Sequence, residues 1–344
     1  MSAHVDHSDA GPVETAAQSA FVTRLVNATD IAYRSPVLGP LAALIIACII
    51  FALSTSTFFT VDNLSLILQQ SVVVGTLALG QTIIILTAGI DLANGAIMVL
   101  GTLVIAKEVG HSHASQVGFL VIGTVLCAAL GALNGWLVSR LNLPPFIVTL
   151  GALTVLQAVG RLYTSQTLLA PGGPLTFLSG GYFLYGKFQI TYGVVLVLVT
   201  VAVMHYALTH TAWGRHVYAV GNDPGAARRT GIAIRPVLIS VYLLAGLLYA
   251  LAAWQSFGRS PATSANAFPT ANLDTITAVV IGGTSLFGGR GTVIGSYIGA
   301  LIVLVLQSGL TQAGIDPLYQ SVATGILVIL AVALDQVTRR RSTR

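Results

Sequence analysis

A single acid stands inside a long uncharged run: Asp91 is the only carboxylate between Asp62 and Glu108. It falls in AGIDLANG, residues 88–95, where glycines interrupt apolar sequence. An ionisable group at membrane depth is costly and is functional by default. Two placements are open. In the first, Asp91 marks the cytoplasmic end of a helix, solvated or capping the helix that begins after it. In the second it sits in a broken segment, lines a path and hydrogen-bonds a polar solute. Neutral polar residues punctuate the apolar runs as well: Gln69, Gln70, Gln81, Asn94, Asn134, Thr149, Thr154, Gln157 and Gln307. Most such groups join helices through hydrogen bonds worth about 1 kcal/mol. Gln81, Asp91, Asn94, Asn134, Thr149 and Gln157 are the candidate solute pathway. As a set with little charge, the polar groups suit a neutral hydroxylated solute better than an ion.

The second constellation is GNDPGAARRTGI, residues 221–232, inside a polar island at 209–236 that carries Arg215, Arg228, Arg229 and Arg235. Asp223 is a good N-cap, and Pro224 suits the first helical position, where its missing N–H costs nothing. Ala226, Ala227, Arg228 and Arg229 carry about two turns, and Gly231 supplies a left-handed stop. A short, capped, basic helix between two apolar runs is a handle for a soluble partner. Gly221, Asn222, Asp223, Ala226, Ala227, Arg228, Arg229 and Gly231 are the candidate contact residues. Arg228 and Arg229 would face acidic groups or lipid headgroups, while Ala226 and Ala227 would allow close packing.

Other chemistry is thinly supported. Residues 181–187 (GYFLYGK) match the opening of a phosphate-binding loop, but Phe188 stands where magnesium binding needs Ser or Thr. The glycines at 289, 291 and 295 miss the dinucleotide-binding spacing. His111 and His113 alone do not make a metal site, and His205 and His210 fall on different helical faces. No nucleophile–base pair or paired carboxylate is visible, so neither a catalytic centre nor a resident metal or cofactor is expected. Cys48 and Cys127 fall in apolar runs and read as inert thiols.

The elements that must position these residues are membrane helices. Hydrophobic residues make up 55% of the 344 and charged residues only 8%, which excludes a water-soluble domain of this size. Uncharged runs at 63–90, 111–139, 141–160, 236–258 and 291–315 are long enough for helices crossing about 30 Å of hydrocarbon. The reading is all-α and polytopic. Ten spans are expected, at 37–59, 66–88, 90–106, 116–138, 145–163, 190–209, 237–256, 275–289, 292–311 and 317–334. The third and eighth are short, and helices near 88–95 and 282–295 are broken. Recurrence of glycine-broken hairpins in the two halves hints at an internal repeat. With both termini cytoplasmic, only Lys107, Arg161, Lys187 and Arg259 of the 16 Lys and Arg fall outside, as the positive-inside rule asks. The net charge of +5 is therefore a topology signal, and scattered basic residues give no nucleic-acid surface. Residues 1–35 read as a disordered cytoplasmic tail, 36–336 as the membrane domain with a cytoplasmic loop at 210–236, and 337–344 as a basic cytoplasmic tail. The loop at 164–189 reads as a folded interfacial loop or re-entrant turn.

Four segments in order resemble permease subunits of bacterial ATP-binding-cassette importers for ribose, xylose, arabinose and related sugars. They are AGIDLANGAIMVLG (88–101), LNLPPFIVTLGALTVLQAVGRLYT (141–164), GRHVYAVGNDPGAARRTGI (214–232) and AVVIGGTSLFGGRGTVIGSYIGALIV (278–303). The resemblance covers almost all of 37–335. It departs at Asp223-Pro224, at Thr230 in place of a common Ser, and at Asn94 where Val-Gly is frequent. It implies a multi-pass protein of the bacterial inner membrane that receives a monosaccharide from a periplasmic binding protein. It further implies two permease copies around one path and a separate ATPase that holds ATP and magnesium. The segment 221–231 would then dock on that ATPase. The alternative from the residues alone is an ion-coupled secondary transporter of a small polar solute, for which Asp91 would be the coupling group.

Overall fold

The computed structural model describes residues 37–111, 116–169, 182–185, 188–260 and 262–342. The expected tail at 1–35, most of the glycine- and proline-rich stretch of loop 164–189, and the pair Gly186–Lys187 lie outside these. The described chain is helical: α1 Leu38–Ser54, α2 Val61–Leu86, α3 Asn94–His111, α4 Gln116–Arg140, α5 Pro145–Tyr163, α6 Tyr192–His210, α7 Ala212–Asn222, α8 Pro224–Arg229, α9 Ile234–Arg259, α10 Ala271–Ile281, α11 Val293–Gln312 and α12 Pro317–Ser342. Four short strands complete it: β1 Leu168–Leu169 pairs antiparallel with β4 Ala262–Thr263, and β2 Tyr182–Tyr185 with β3 Phe188–Thr191.

Helix α2 is the centre. Every side chain from Ser71 to Leu86 is buried, including the polar Ser71, Thr76, Gln81 and Thr82. A helix covered on all sides must satisfy its polar groups through its neighbours. Thr76 Oγ1 donates to Gln255 Oε1 of α9 at 2.7 Å, and Ser71 Oγ lies 3.1 Å from the Tyr297 hydroxyl of α11. By contrast α1, α4, α5, α6 and α12 carry exposed Leu, Ile, Val and Phe, the surface that apolar lipid would cover.

Six described helices are long and apolar enough to cross a membrane, and three shorter apolar ones accompany them. The expected span at 275–289 is not one helix. Its helical part is α10, ending at Ile281, and residues 282–292 form a hairpin. The reason is local: Gly283 takes a φ of 84°, its N–H donates to Val280 O (2.9 Å), and Thr284 N–H reaches Val279 O (3.1 Å). That is the paired-bond glycine stop. The expected span at 90–106 likewise begins only at Asn94, because 87–93 is non-helical, and it runs on to His111.

Contacts sort into the two ends expected from charge. At one end Lys107 Nζ donates to Tyr163 O (2.8 Å), Tyr163 OH donates to Glu108 Oε1 (2.8 Å), and Gln189 N–H meets Ser65 Oγ (3.2 Å). At the other end, α7 and the 282–292 hairpin gather beneath the end of α2.

Helices α4 and α9 approach through small residues. A Cβ at Gly131 would lie 2.4 Å from Tyr242 O and 3.0 Å from Gly246 Cα, and one at Gly246 would lie 2.5 Å from Cys127 O. With Gly131 and Gly135 four residues apart, this is a small-residue crossing of the kind that lets membrane helices touch backbone to backbone. Gly131→Val must separate α4 from α9, and a loss of about 1–3 kcal/mol is expected from overpacking. Melting of the detergent-solubilised protein should fall clearly, while Gly118→Val, where no atom lies within 4 Å, should leave it unchanged.

Candidate functional site

The break between α2 and α3 is built by satisfying its backbone groups one at a time, the condition for irregular chain inside a membrane protein. Ile84 O accepts from Thr87 N (3.0 Å), Gly89 N (3.1 Å) and Thr87 Oγ1 (2.8 Å). Thr149 of α5 donates its hydroxyl to Ile90 O at 2.9 Å. The Gln81 amide, with its nitrogen toward Asp91 O (2.9 Å) and its oxygen toward Asp91 N–H (3.3 Å), pairs with that peptide as a strand would. Asp91 Oδ1 accepts from Ala93 N–H at 2.8 Å, and Oδ2 accepts from the Tyr249 hydroxyl at 3.1 Å.

Asp91 is therefore fully buried. It is not a solvated residue at a helix end. Its bonds to Ala93 and Tyr249 make it a brace that tethers the break to α9 and turns the chain into α3. Gln81, Asn94 and Thr149 are also buried and belong to the same knot, and Asn94 Nδ2 donates to Thr275 Oγ1 of α10 at 2.7 Å. Asn134 is buried elsewhere, on α4, and its Nδ2 has no hydrogen-bond partner among the described residues. Gln157 departs from the others: it is exposed. Thr154, grouped with the buried polar residues, is exposed too and donates to Leu150 O.

Gln157 lines an open cleft of about 540 Å³ between α3, α5 and the chain leading into α10, with Arg161, Asn266 and Asn272 on its wall. The start of α3 meets the start of α10 at its floor, where a Cβ on Gly95 would lie 3.0 Å from Ala271 Cβ. On the other side of α10, two adjoining clefts of about 510 and 620 Å³ share Gln307 and Gln320. Their linings include Asn63, Gln70, Gln312 and Asp274. Gln307 Nε2 donates to Asp274 Oδ1 (3.2 Å), and Gln320 Nε2 donates to Thr311 Oγ1 (3.0 Å). Gln312 and Gln320 were not among the residues singled out in the sequence; Gln312 Nε2 donates to Asn63 Oδ1 of α2 at 3.3 Å, a partner 249 residues away.

The cytoplasmic constellation takes the local form expected. Asp223 Oδ1 accepts from Ala226 N–H at 3.0 Å, and Pro224 opens α8. Gly231 has a φ of 87°, Gly231 N–H donates to Arg228 O (3.1 Å) and Ile232 N–H to Ala227 O (3.0 Å), closing the same glycine stop as in α10. The Ala226 N–H bond is the main cause holding the Asp223 carboxyl below its ordinary range, and the Arg229 charge adds to it. Asn222, Asp223, Arg228, Arg229 and Gly231 are exposed, and Ala226 is half-buried. Two residues differ from expectation. Ala227 is 4% exposed and joins Val217 and Val220 in the chain's own core. Gly221 is buried against the end of α2.

Comparison of the sequence with known proteins matches this chain to sugar import permeases. The chain is 43% identical over 315 residues to the fructose import permease protein of Rhizobium meliloti, covering 90% of this chain and 87% of that one. It is 36% identical over 304 residues to the ribose import permease protein of Bacillus subtilis (87% and 92%). It is 32% identical over 319 residues to the galactose/methyl galactoside import permease protein of Escherichia coli K12 (88% and 95%). No solved structure matches. The family model for the permease component of branched-chain amino acid transport systems matches residues 63–332. A multi-pass inner-membrane protein whose broken helices flank polar clefts, the chain belongs to that permease family.

Proposed function

We propose that this chain is the membrane subunit of an ATP-binding-cassette importer for a monosaccharide of the fructose, ribose and galactose kind. The observation that carries the reading is end-to-end identity with import permeases for those three sugars. The clefts flanking α10 support it: amides and hydroxyls both donate and accept, which suits a sugar's hydroxyl groups. A separate ATPase supplies nucleotide and magnesium, a periplasmic protein delivers the sugar, and this chain performs no catalysis. A second copy completes the pathway, consistent with exposed apolar side chains on α5 and α12. Gln157, with the polar groups beside α10, lines the route, while Asp91, Gln81, Asn94 and Thr149 hold its floor in shape.

In liposomes holding the permease, its ATPase and its binding protein, labelled fructose, ribose or galactose should accumulate only with ATP inside. Accumulation that needs no ATPase and collapses with the proton gradient would instead establish ion-coupled transport. Replacing Gln307 and Gln320 together with Ala should lower uptake about fivefold or more, on the scale of one or two lost hydrogen bonds, with assembly unchanged. Asp91→Ala leaves the Ala93 N–H and the Tyr249 hydroxyl unmet, and reduced yield of folded protein is the expected outcome. A well-folded variant with altered sugar preference would place Asp91 in the pathway.

The exposed face of α8 docks on the ATPase. Arg228→Glu with Arg229→Glu should weaken that association about tenfold, measured by co-purification at fixed salt. The Asp223 cap has a distinct pH signature. Its folded-state pKa is lowered, so its contribution is present above the ordinary carboxylate range and is lost as pH falls through the folded value. Asp223→Asn caps without titrating, so the acid loss of sugar-stimulated ATP hydrolysis should be blunted in that variant.

A further inference from the structure

The docking segment is joined to both broken regions at one point. Gly289 N–H donates to Leu86 O at 3.0 Å, and Gly221 lies against both groups. A Cβ on Gly221 would stand 1.8 Å from Leu86 O and 2.8 Å from Gly289 N. A Cβ on Gly288 would stand 2.7 Å from Ala88 N and 2.8 Å from Gly221 O. One on Gly289 would stand 2.9 Å from Asn222 Cα. Three stretches of backbone (86–88, 221–222 and 288–289) therefore meet with no room for a side chain between them. One turn before Gly221, the Tyr218 hydroxyl donates to Gly291 O at 2.9 Å, and burial raises its pKa, so the phenol stays a neutral donor.

The levers on either side of this junction are stiff. Asp223 is both the last cap of α7, through its N–H to Ala219 O (3.2 Å), and the first cap of α8, through its carboxylate. The exposed face of α8 cannot shift without carrying α7 and Gly221. Leu86 leads into the break that ends at Asn94. The 282–292 hairpin leads back into α10, whose first turn borders the clefts on both sides.

We propose that the Leu86–Gly221–Gly289 junction, with Tyr218 as its positioning residue, transmits ATPase closure to both broken regions at once. This rests on the docking of α8 described above. Without a bulky side chain between the backbones, displacement of α7 passes directly to the end of α2 and to the hairpin, and Tyr218 keeps the hairpin in register. Both breaks then move together, so the floor of the clefts changes shape as a unit.

The test is amide hydrogen exchange on the assembled transporter, with and without a non-hydrolysable ATP analogue. In the unmodified complex, the nucleotide should alter exchange at 224–231 and also at 87–93 and 282–292. Tyr218→Phe should keep the change at 224–231 and shrink it at 282–292. Transport per ATP should fall about fivefold, the scale of one lost hydrogen bond, with basal ATP hydrolysis retained. A purely structural role for Tyr218 would instead lower assembly and hydrolysis together, and would overturn the proposal. Gly221→Ala should act in the same direction more strongly, and if it fails to assemble, Tyr218→Phe alone decides. A change confined to 224–231 in the unmodified complex, or a spread undiminished in Tyr218→Phe, overturns the relay while leaving docking intact. No change at 224–231 overturns docking and the relay with it.

Discussion

The carbonyl of Leu86 is the last of a buried helix and has nowhere inside that helix to go. The final carbonyls of any helix lack intrahelical donors, and inside a membrane protein water is seldom at hand to replace them. Ile84 and Ile85 are served by Thr87, Ala88 and Gly89, the residues immediately following. Leu86 is served by Gly289, from the other half of the chain. That bond brings the 282–292 hairpin under the end of α2. The hairpin in turn leaves a slot only a glycine can fill, and Gly221 fills it. The cytoplasmic architecture follows from satisfying one orphaned acceptor without admitting a side chain.

The same accounting shapes the break above. Every polar group that α2 and α3 leave open is a potential cost, and the chain meets those costs with side chains from three helices and from the break itself. Gln81 serves the Asp91 peptide, Thr149 serves Ile90 O, Asp91 serves Ala93 N–H, and Tyr249 serves Asp91. These side chains are fully buried within the knot. The residues left facing open clefts are others: Gln157 beside α3 and α5, and the amides of Gln70, Gln312 and Gln320 beside α10 and α12. Buried and cleft-lining polarity are thus divided between the inside of the knot and its rim.

Legibility from sequence follows the range of the physics involved. Helix α8 was readable residue by residue, since Asp223, Pro224 and Gly231 act within one turn of where they sit. Both broken regions were readable as glycine clusters between short apolar runs. Their edges were not: the expected span at 275–289 ends eight residues early. Apolar character continues past a glycine stop, and hydropathy does not register φ. Asp91 was readable as exceptional but not as buried, because depth depends on Tyr249, 158 residues away.

By itself, then, the sequence determined that this is a helical, multi-pass membrane protein with its basic loops on one side. It also determined that the chain carries a short capped helix and two interruptions, because hydropathy and capping are local or summed quantities. Tertiary structure alone decided which polar groups brace and which face a cleft, that Ala227 points inward, and that Leu86, Gly221 and Gly289 share one point. Those outcomes depend on which distant backbone arrives to satisfy a buried donor or acceptor. No window of sequence contains both partners.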